Sequence, residues 1–93
     1  MKTIAVDFDG TLFTDPQENY PQVGKPIPRV IKMLKWEPKH GAKVYLWTLR
    51  TGQNLQEAIR AAEKEGINFD GIIPDKPGVN EFWDDRAVHP DML

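Results

Sequence analysis

Residues 4–11, IAVDFDGT, decide the fold because an apolar run ends there in two aspartates and a glycine turn. The apolar residues predict a buried strand, which leaves Asp7 and Asp9 at its carboxyl end. Open α/β sheets build their sites at that edge. Carboxylates crowded together repel one another unless a cation or a reaction uses them. We therefore interpret the pair as chemical, against the alternative of an ordinary strand-ending Asp-Gly turn.

The composition is that of a soluble globular protein. The chain has 93 residues, of which 40% are hydrophobic and 28% charged, with a mean hydropathy of -0.54. This predicts one domain over residues 1–93. There is no cysteine, which excludes disulfides, thiolate metal sites and a cysteine nucleophile. The apolar runs are too short to span a bilayer and no signal-peptide core is present, so we expect a cytoplasmic protein without a membrane partner.

Strand and helix patterns alternate along the chain. Apolar, β-rich runs predict strands over residues 3–7, 43–48, 69–73 and 81–83. Helical spacing of apolar residues predicts two main helices, over residues 28–36 and 55–65. The loop between the first strand and the first helix, residues 12–26, is rich in turn residues. Alternation of this kind indicates an α/β domain with a parallel sheet.

Further polar residues follow the other predicted strands. Thr48 and Arg50 follow the second strand, Lys76 the third, and Asp84 and Asp85 the fourth. A hydroxyl, a guanidinium and free backbone N–H groups before a helix suit a phosphate. Each residue also has an ordinary interpretation, as a strand-end hydroxyl or a solvated surface charge. Their coincidence at successive strand ends favours a site.

On these residues the chain resembles the haloacid dehalogenase (HAD) superfamily phosphatases. Residues 7–11 match the first motif of that superfamily, Thr48 the second, Lys76 the third and Asp84-Asp85 the fourth. The stretches YPQVG (20–24), WTLR (47–50) and WDDR (83–86) resemble its small capless branch from bacteria and phages. The resemblance implies a Rossmann-like parallel sheet in the order 3-2-1-4 and no cap domain.

The same resemblance implies a catalytic and metal-binding set. Asp7 would be the nucleophile that forms an aspartyl-phosphate, and Asp9 the general acid and base. Mg²⁺ would be held by the Asp7 carboxylate, the Asp9 backbone carbonyl and one terminal aspartate. We favour Asp85 over Asp84 as that direct ligand.

It also implies a phosphate-binding set. Thr48 and Lys76 would hold the phosphoryl oxygens, and Arg50 would contact the phosphate or the group attached to it. Phe8 and Gly10, beside the nucleophile, complete the predicted set.

These residues predict a magnesium-dependent phosphomonoester hydrolase. The same site could serve a phosphotransferase. Without a lid it could accept either a small phosphorylated molecule or a macromolecular end. A phosphatase for nucleic-acid ends is favoured by a basic cluster, for which a solvated helix face is the alternative; its members are Lys25, Arg29, Lys32, Lys35, Lys39 and Lys43. A non-catalytic interaction module is a third interpretation, disfavoured by the intact pair of Asp7 and Asp9.

The short connection over residues 75–80 predicts an unusual sheet. Fully extended, it spans roughly 20 Å, against about 14 Å for crossing three interstrand gaps. It therefore has no room for a helix, and right-handed connections then put both helices on one face. Tyr45 and Trp47 would leave the opposite face apolar. We expect a homo-oligomer, with a dimer favoured, packed through that helix-poor face.

Overall fold

The structure, a computed structural model, describes residues 2–73, 79, 81–84 and the backbone of 88–90. Its strands and helices follow one another along the chain as β1 (Thr3–Val6), α1 (Pro28–Lys39), β2 (Lys43–Trp47), α2 (Gly52–Lys64), β3 (Gly71–Ile73), β4 (Glu81–Trp83) and β5 (Val88–Pro90). A short 3₁₀ turn, Gln17–Asn19, lies in the loop after β1. No helix in this described part is long and apolar enough to cross a membrane.

The strands form one sheet in the order β3-β2-β1-β4-β5. The first four are parallel, so the predicted order 3-2-1-4 and the α/β class are confirmed. The fifth strand was not predicted: β5 is antiparallel to β4, with Phe82 opposite residue 89. Its three residues are too few to give a strand pattern and end in proline, so sequence reasoning had no signal for it.

The helix ends differ from the predicted ones. α1 continues to Lys39 and includes Pro38 in its last turn, although we predicted an end at residue 36. The proline removes its own backbone N–H from the helix, and beyond it the N–H of His40 still reaches the carbonyls of Glu37 and Pro38. α2 begins at Gly52, three residues before the start that we predicted. Its first turn is polar, so the apolar periodicity used for the prediction did not extend to it.

Both helices pack on one face of the sheet. A single buried cluster joins the β1 and β2 side chains to those of the helices, as the sequence predicted; its central members are Ile4, Val6, Val44, Leu46, Ile31, Leu34, Ala58 and Ala62. The two alanines are the buried residues of α2, and their small side chains permit a close approach to the sheet. Burial of this face is the main hydrophobic contribution to folding.

The opposite face carries a second apolar cluster, to which neither helix contributes among the described residues. Ala5, Val79 and Phe82 are buried there, with Trp47 and Ile73 partly buried around them. The Trp47 and Phe82 rings meet edge to face at 5.4 Å. Much of this face is therefore already covered within one chain, and the exposed apolar area is smaller than the sequence suggested.

The register gathers three strand ends at one edge. Val6 pairs with Leu46 of β2 and with Trp83 of β4. The residues that follow each strand therefore emerge side by side at the carboxyl edge of the sheet, around the end of the central strand β1. This is the edge predicted to hold the site.

Candidate active site

Asp7 lies between the ends of β1 and β4. Its backbone N–H donates to the Trp83 carbonyl at 2.8 Å, and its Oδ1 accepts from the Phe8 N–H at 2.8 Å. Asp84 directly follows Trp83, so the backbones of Asp7 and Asp84 are neighbours. Both residues are partly buried. The structure thus brings together two of the predicted acidic residues.

A tight turn follows Asp7. The Phe8 carbonyl accepts from the N–H groups of Thr11, Leu12 and Phe13 at 3.1 to 3.3 Å, and the Gly10 N–H donates to the Phe13 carbonyl at 2.7 Å. Gly10 has φ 85°, a left-handed conformation that glycine adopts without a steric cost. In this structure the Phe8 and Gly10 amides both have acceptors within the chain. Their contact with a phosphate stays a prediction.

Asp9 is held by Arg50. Arg50 Nε donates to Asp9 Oδ2 at 2.8 Å, and Nη2 donates to Oδ1 at 2.7 Å, a bidentate pair. The guanidinium also donates to the carbonyls of Pro21 at 2.7 Å and Gln22 at 3.2 Å. The hydrogen bond with Asp9 is the largest effect that raises the pKa of Arg50 above its usual value, so this side chain stays charged.

Arg50 is buried despite its charge. The residue is 2% exposed, and its guanidinium lies over the Phe8 ring at 5.3 Å and the Tyr20 ring at 4.9 Å. We predicted that Arg50 contacts the phosphate or its attached group. The structure shows four of its five N–H donors engaged with Asp9 and two carbonyls, and its contact with a phosphate stays a prediction.

Thr48 follows β2 and is partly exposed. Its Oγ1 accepts from the Arg50 backbone N–H at 3.2 Å, which holds the hydroxyl at the strand end. The hydroxyl proton is then available to donate to a ligand oxygen. This geometry is compatible with the predicted phosphate contact, without testing it.

Lys76 and Asp85 lie outside the described residues, so their predicted roles stay predictions. Within the described part of the chain no group of three His, Asp or Glu residues could hold a metal ion. The donors present near β1, from Asp7, Asp9 and Asp84, are oxygen atoms, which Mg²⁺ prefers. The donor chemistry therefore fits magnesium, and the ligand role of Asp85 stays a prediction.

The pairing of Asp9 with Arg50 is the main feature of the site that sequence reasoning missed. The two residues are 41 positions apart, and the carbonyls of Pro21 and Gln22 come from a third segment. Two signals in the sequence point towards it: Arg50 follows Thr48 by two residues, and the YPQVG stretch at residues 20–24 is one of the chain's family-like motifs. Neither indicates which acid the arginine contacts.

Comparison with solved structures agrees with the fold. A structure of a conserved protein from Bacteroides thetaiotaomicron is 33% identical, with a TM-score of 0.79, over 91% of this chain and 76% of that chain. The chain belongs to the family of this conserved Bacteroides protein. No family model and no curated protein matches it.

A second structure identifies the wider fold. It is the D,D-heptose 1,7-bisphosphate phosphatase of B. bronchiseptica, complexed with magnesium and phosphate. It is 21% identical with a TM-score of 0.60, over 84% of this chain and 52% of that chain. The protein therefore has a HAD-like, Rossmann-like α/β fold.

Proposed function

We propose that this protein is a magnesium-dependent phosphomonoester hydrolase that acts through an aspartyl-phosphate on Asp7. The observation that carries the proposal is the carboxyl edge of β1, where Asp7 meets the end of β4 and Asp9 is held in a bidentate pair by Arg50. A HAD-like fold supports it, since the neighbour named a phosphatase was complexed with magnesium and phosphate.

The chemistry takes two balanced steps. An Asp7 carboxylate oxygen attacks phosphorus, the bond between phosphorus and the ester oxygen breaks, and Asp9, which enters this step in its protonated form, gives its proton to the departing oxygen. Water then attacks the phosphorus of the aspartyl-phosphate and loses a proton to Asp9. The bond between phosphorus and the Asp7 oxygen breaks, which releases inorganic phosphate and restores both aspartates.

The surrounding residues would bind the transferring group. Thr48 and Lys76 would donate to phosphoryl oxygens, where charge spreads in the transition state. Mg²⁺, held by Asp7, the Asp9 carbonyl and Asp85, would neutralise the charge of the phosphate and carboxylates when bound.

The test is hydrolysis of p-nitrophenyl phosphate with and without Mg²⁺. We expect Asp7→Asn to abolish turnover because an amide nitrogen does not form the acyl-phosphate. Asp9→Asn is expected to be nearly as damaging. Asp15→Asn is the matched control: Asp15 is exposed and its Oδ1 accepts from the Gln17 N–H, a bond that Asn retains. Wild-type-like turnover in Asp7→Asn, or full activity in a chelator, would contradict the proposal.

A phosphatase for nucleic-acid ends is the second candidate, favoured by the surface of α1. All six residues of the predicted basic cluster are exposed. Lys32, Lys35 and Lys39 line an open groove together with Trp36, which is 54% exposed. Lysines interleaved with an exposed aromatic ring are typical of surfaces that bind single-stranded nucleic acid.

A 3′-phosphorylated oligonucleotide distinguishes the two candidates. If the groove holds the strand, Lys32→Gln with Lys35→Gln raises KM for the oligonucleotide and leaves p-nitrophenyl phosphate hydrolysis unchanged. Equal KM for the oligonucleotide in both proteins leaves the small-molecule phosphatase as the better account.

A further inference from the structure

The guanidinium of Arg50 is held by several hydrogen bonds. It makes four hydrogen bonds: two to the Asp9 carboxylate, one to the Pro21 carbonyl and one to the Gln22 carbonyl. The two bonds to Asp9, at 2.7 and 2.8 Å, use both carboxylate oxygens. A fork of this kind fixes the plane of a carboxylate as well as its position, and it uses one lone pair of each oxygen, which leaves the other lone pair of each to bind a proton.

Two aromatic rings enclose the same group. The Phe8 ring, which is fully buried, comes from the turn after β1. The Tyr20 ring comes from the loop before α1 and is 49% exposed. A positive charge over a ring face is attracted to it, and the attraction strengthens away from water. Four of its five N–H donors are engaged in this enclosed position, so turning the guanidinium towards a phosphate would break hydrogen bonds to Asp9 or to the loop carbonyls.

We propose that Arg50 is a positioning residue: it locks the Asp9 carboxylate in the orientation for proton transfer and anchors it to the loop formed by Tyr20, Pro21 and Gln22. The inference rests on the proposed function, in which Asp9 moves the proton. Proton transfer depends on geometry, and a displacement of about 1 Å costs on the order of 100-fold in rate. An Asp side chain without this fork has several rotamers, of which one serves the reaction.

The loop over residues 20–22 covers the Asp9–Arg50 pair. The Tyr20 ring lies over the guanidinium, and the carbonyls of Pro21 and Gln22 accept hydrogen bonds from it. Tyr20→Ala removes the ring, whereas Tyr20→Phe keeps it. We therefore expect Tyr20→Ala to lower kcat by a few-fold, and Tyr20→Phe to lower it less, because the ring over the guanidinium is kept.

The test separates positioning from phosphate binding by measuring Arg50→Gln alone and in an Asp9→Asn background. Two substrates are used: phenyl phosphate, whose leaving group needs a proton, and p-nitrophenyl phosphate, whose leaving group needs it much less. Arg50→Gln should lower kcat for phenyl phosphate by about 10- to 100-fold, and for p-nitrophenyl phosphate by less. The inhibition constant of inorganic phosphate should stay within about two-fold, because no phosphate contact is lost.

Turnover in the Asp9→Asn background distinguishes positioning from phosphate binding by Arg50. With Asn at position 9, Arg50→Gln should cause no further loss of turnover, measured at high enzyme concentration, because the residue acts through Asp9. Added guanidinium ion should restore part of the kcat of Arg50→Gln. A ten-fold weaker inhibition by phosphate, or the same loss of kcat in both backgrounds, would overturn the inference and return Arg50 to the phosphate-binding set.

Two further results keep the inference testable. If Arg50→Gln fails to fold, Arg50→Lys and Tyr20→Ala, with Tyr20→Phe as control, carry the same comparison, and an unchanged leaving-group dependence in both would contradict positioning. If the wild-type protein hydrolyses neither substrate, or Asp7→Asn retains full turnover, the proposed function itself fails. That result differs from one in which the enzyme is active and only the positioning role of Arg50 is contradicted.

Discussion

Replacing Asp9 and replacing Arg50 should lower the free energy of unfolding by very different amounts. Asp9→Ala leaves the Arg50 guanidinium charged, with 1% of its side chain exposed and two of its four hydrogen bonds lost. An uncompensated buried charge costs about 3–5 kcal/mol of the free energy of unfolding. At about 4–8 °C per kcal/mol for a domain of this size, the melting temperature should fall by roughly 12–40 °C.

Arg50→Met should cost less. The carboxylate that remains on Asp9 is 22% exposed and can be hydrated, and the freed carbonyls belong to Pro21 and Gln22, which are exposed. The loss of their hydrogen bonds then costs about 1–3 kcal/mol. With Met at position 50, Asp9→Ala no longer leaves an unpaired buried charge, so the double variant should be more stable than Asp9→Ala alone.

Urea unfolding at neutral pH, followed by circular dichroism, measures all three variants against the wild type. The expected order of stability is wild type, Arg50→Met, the double variant, then Asp9→Ala. An Asp9→Ala protein at least as stable as Arg50→Met, or strictly additive costs in the double variant, would refute the buried bidentate pair as we describe it.

Three other predictions address the metal, the pH dependence and the assembly. Mg²⁺ should raise the melting temperature, and Asp85→Ala should reduce that gain more than Asp84→Ala; the reverse order would show that Asp84 is the direct ligand. Burial disfavours the Lys2 ammonium, but its bonds to Glu81 and Glu37 outweigh this effect and raise the pKa of Lys2. The stability from these pairs should therefore be complete below about pH 10.4 and be lost as the pH rises through the raised pKa, so Lys2→Gln should flatten that alkaline loss in thermal unfolding. The dimer that the sequence predicts through the helix-poor face should give twice the monomer mass by light scattering at micromolar concentration, and a monomer, with that face covered by its own chain, would contradict it.

The parallel sheet was predictable because its signals are local. Apolar runs that end in acids or hydroxyls mark β1, β2 and β4, and the apolar stripes of the helices give the direction of the connections. The order 3-2-1-4 then followed through the resemblance. The second apolar cluster, around Ala5 and Phe82, was anticipated as a face, but its degree of burial depends on packing between distant segments.

The support of Asp9 was not predictable in the same way. The local sequence around Arg50 does not indicate whether its guanidinium contacts a ligand or other residues of the protein. That choice depends on the carbonyls of Pro21 and Gln22 and on the ring of Tyr20, which only the fold brings near β2. Likewise β5 forms by pairing with β4, without an apolar pattern of its own.

The central claim is that Asp7 carries the phosphoryl group during turnover. The most direct measurement mixes the protein with p-nitrophenyl phosphate and Mg²⁺, quenches in acid within the first turnover, and analyses the peptide that contains Asp7 by mass spectrometry. We predict one added phosphoryl group on Asp7, removed by hydroxylamine as an acyl-phosphate is, and absent from Asp7→Asn. An unmodified Asp7 peptide from protein that is turning over substrate, or a phosphoryl group on another residue, would contradict the account.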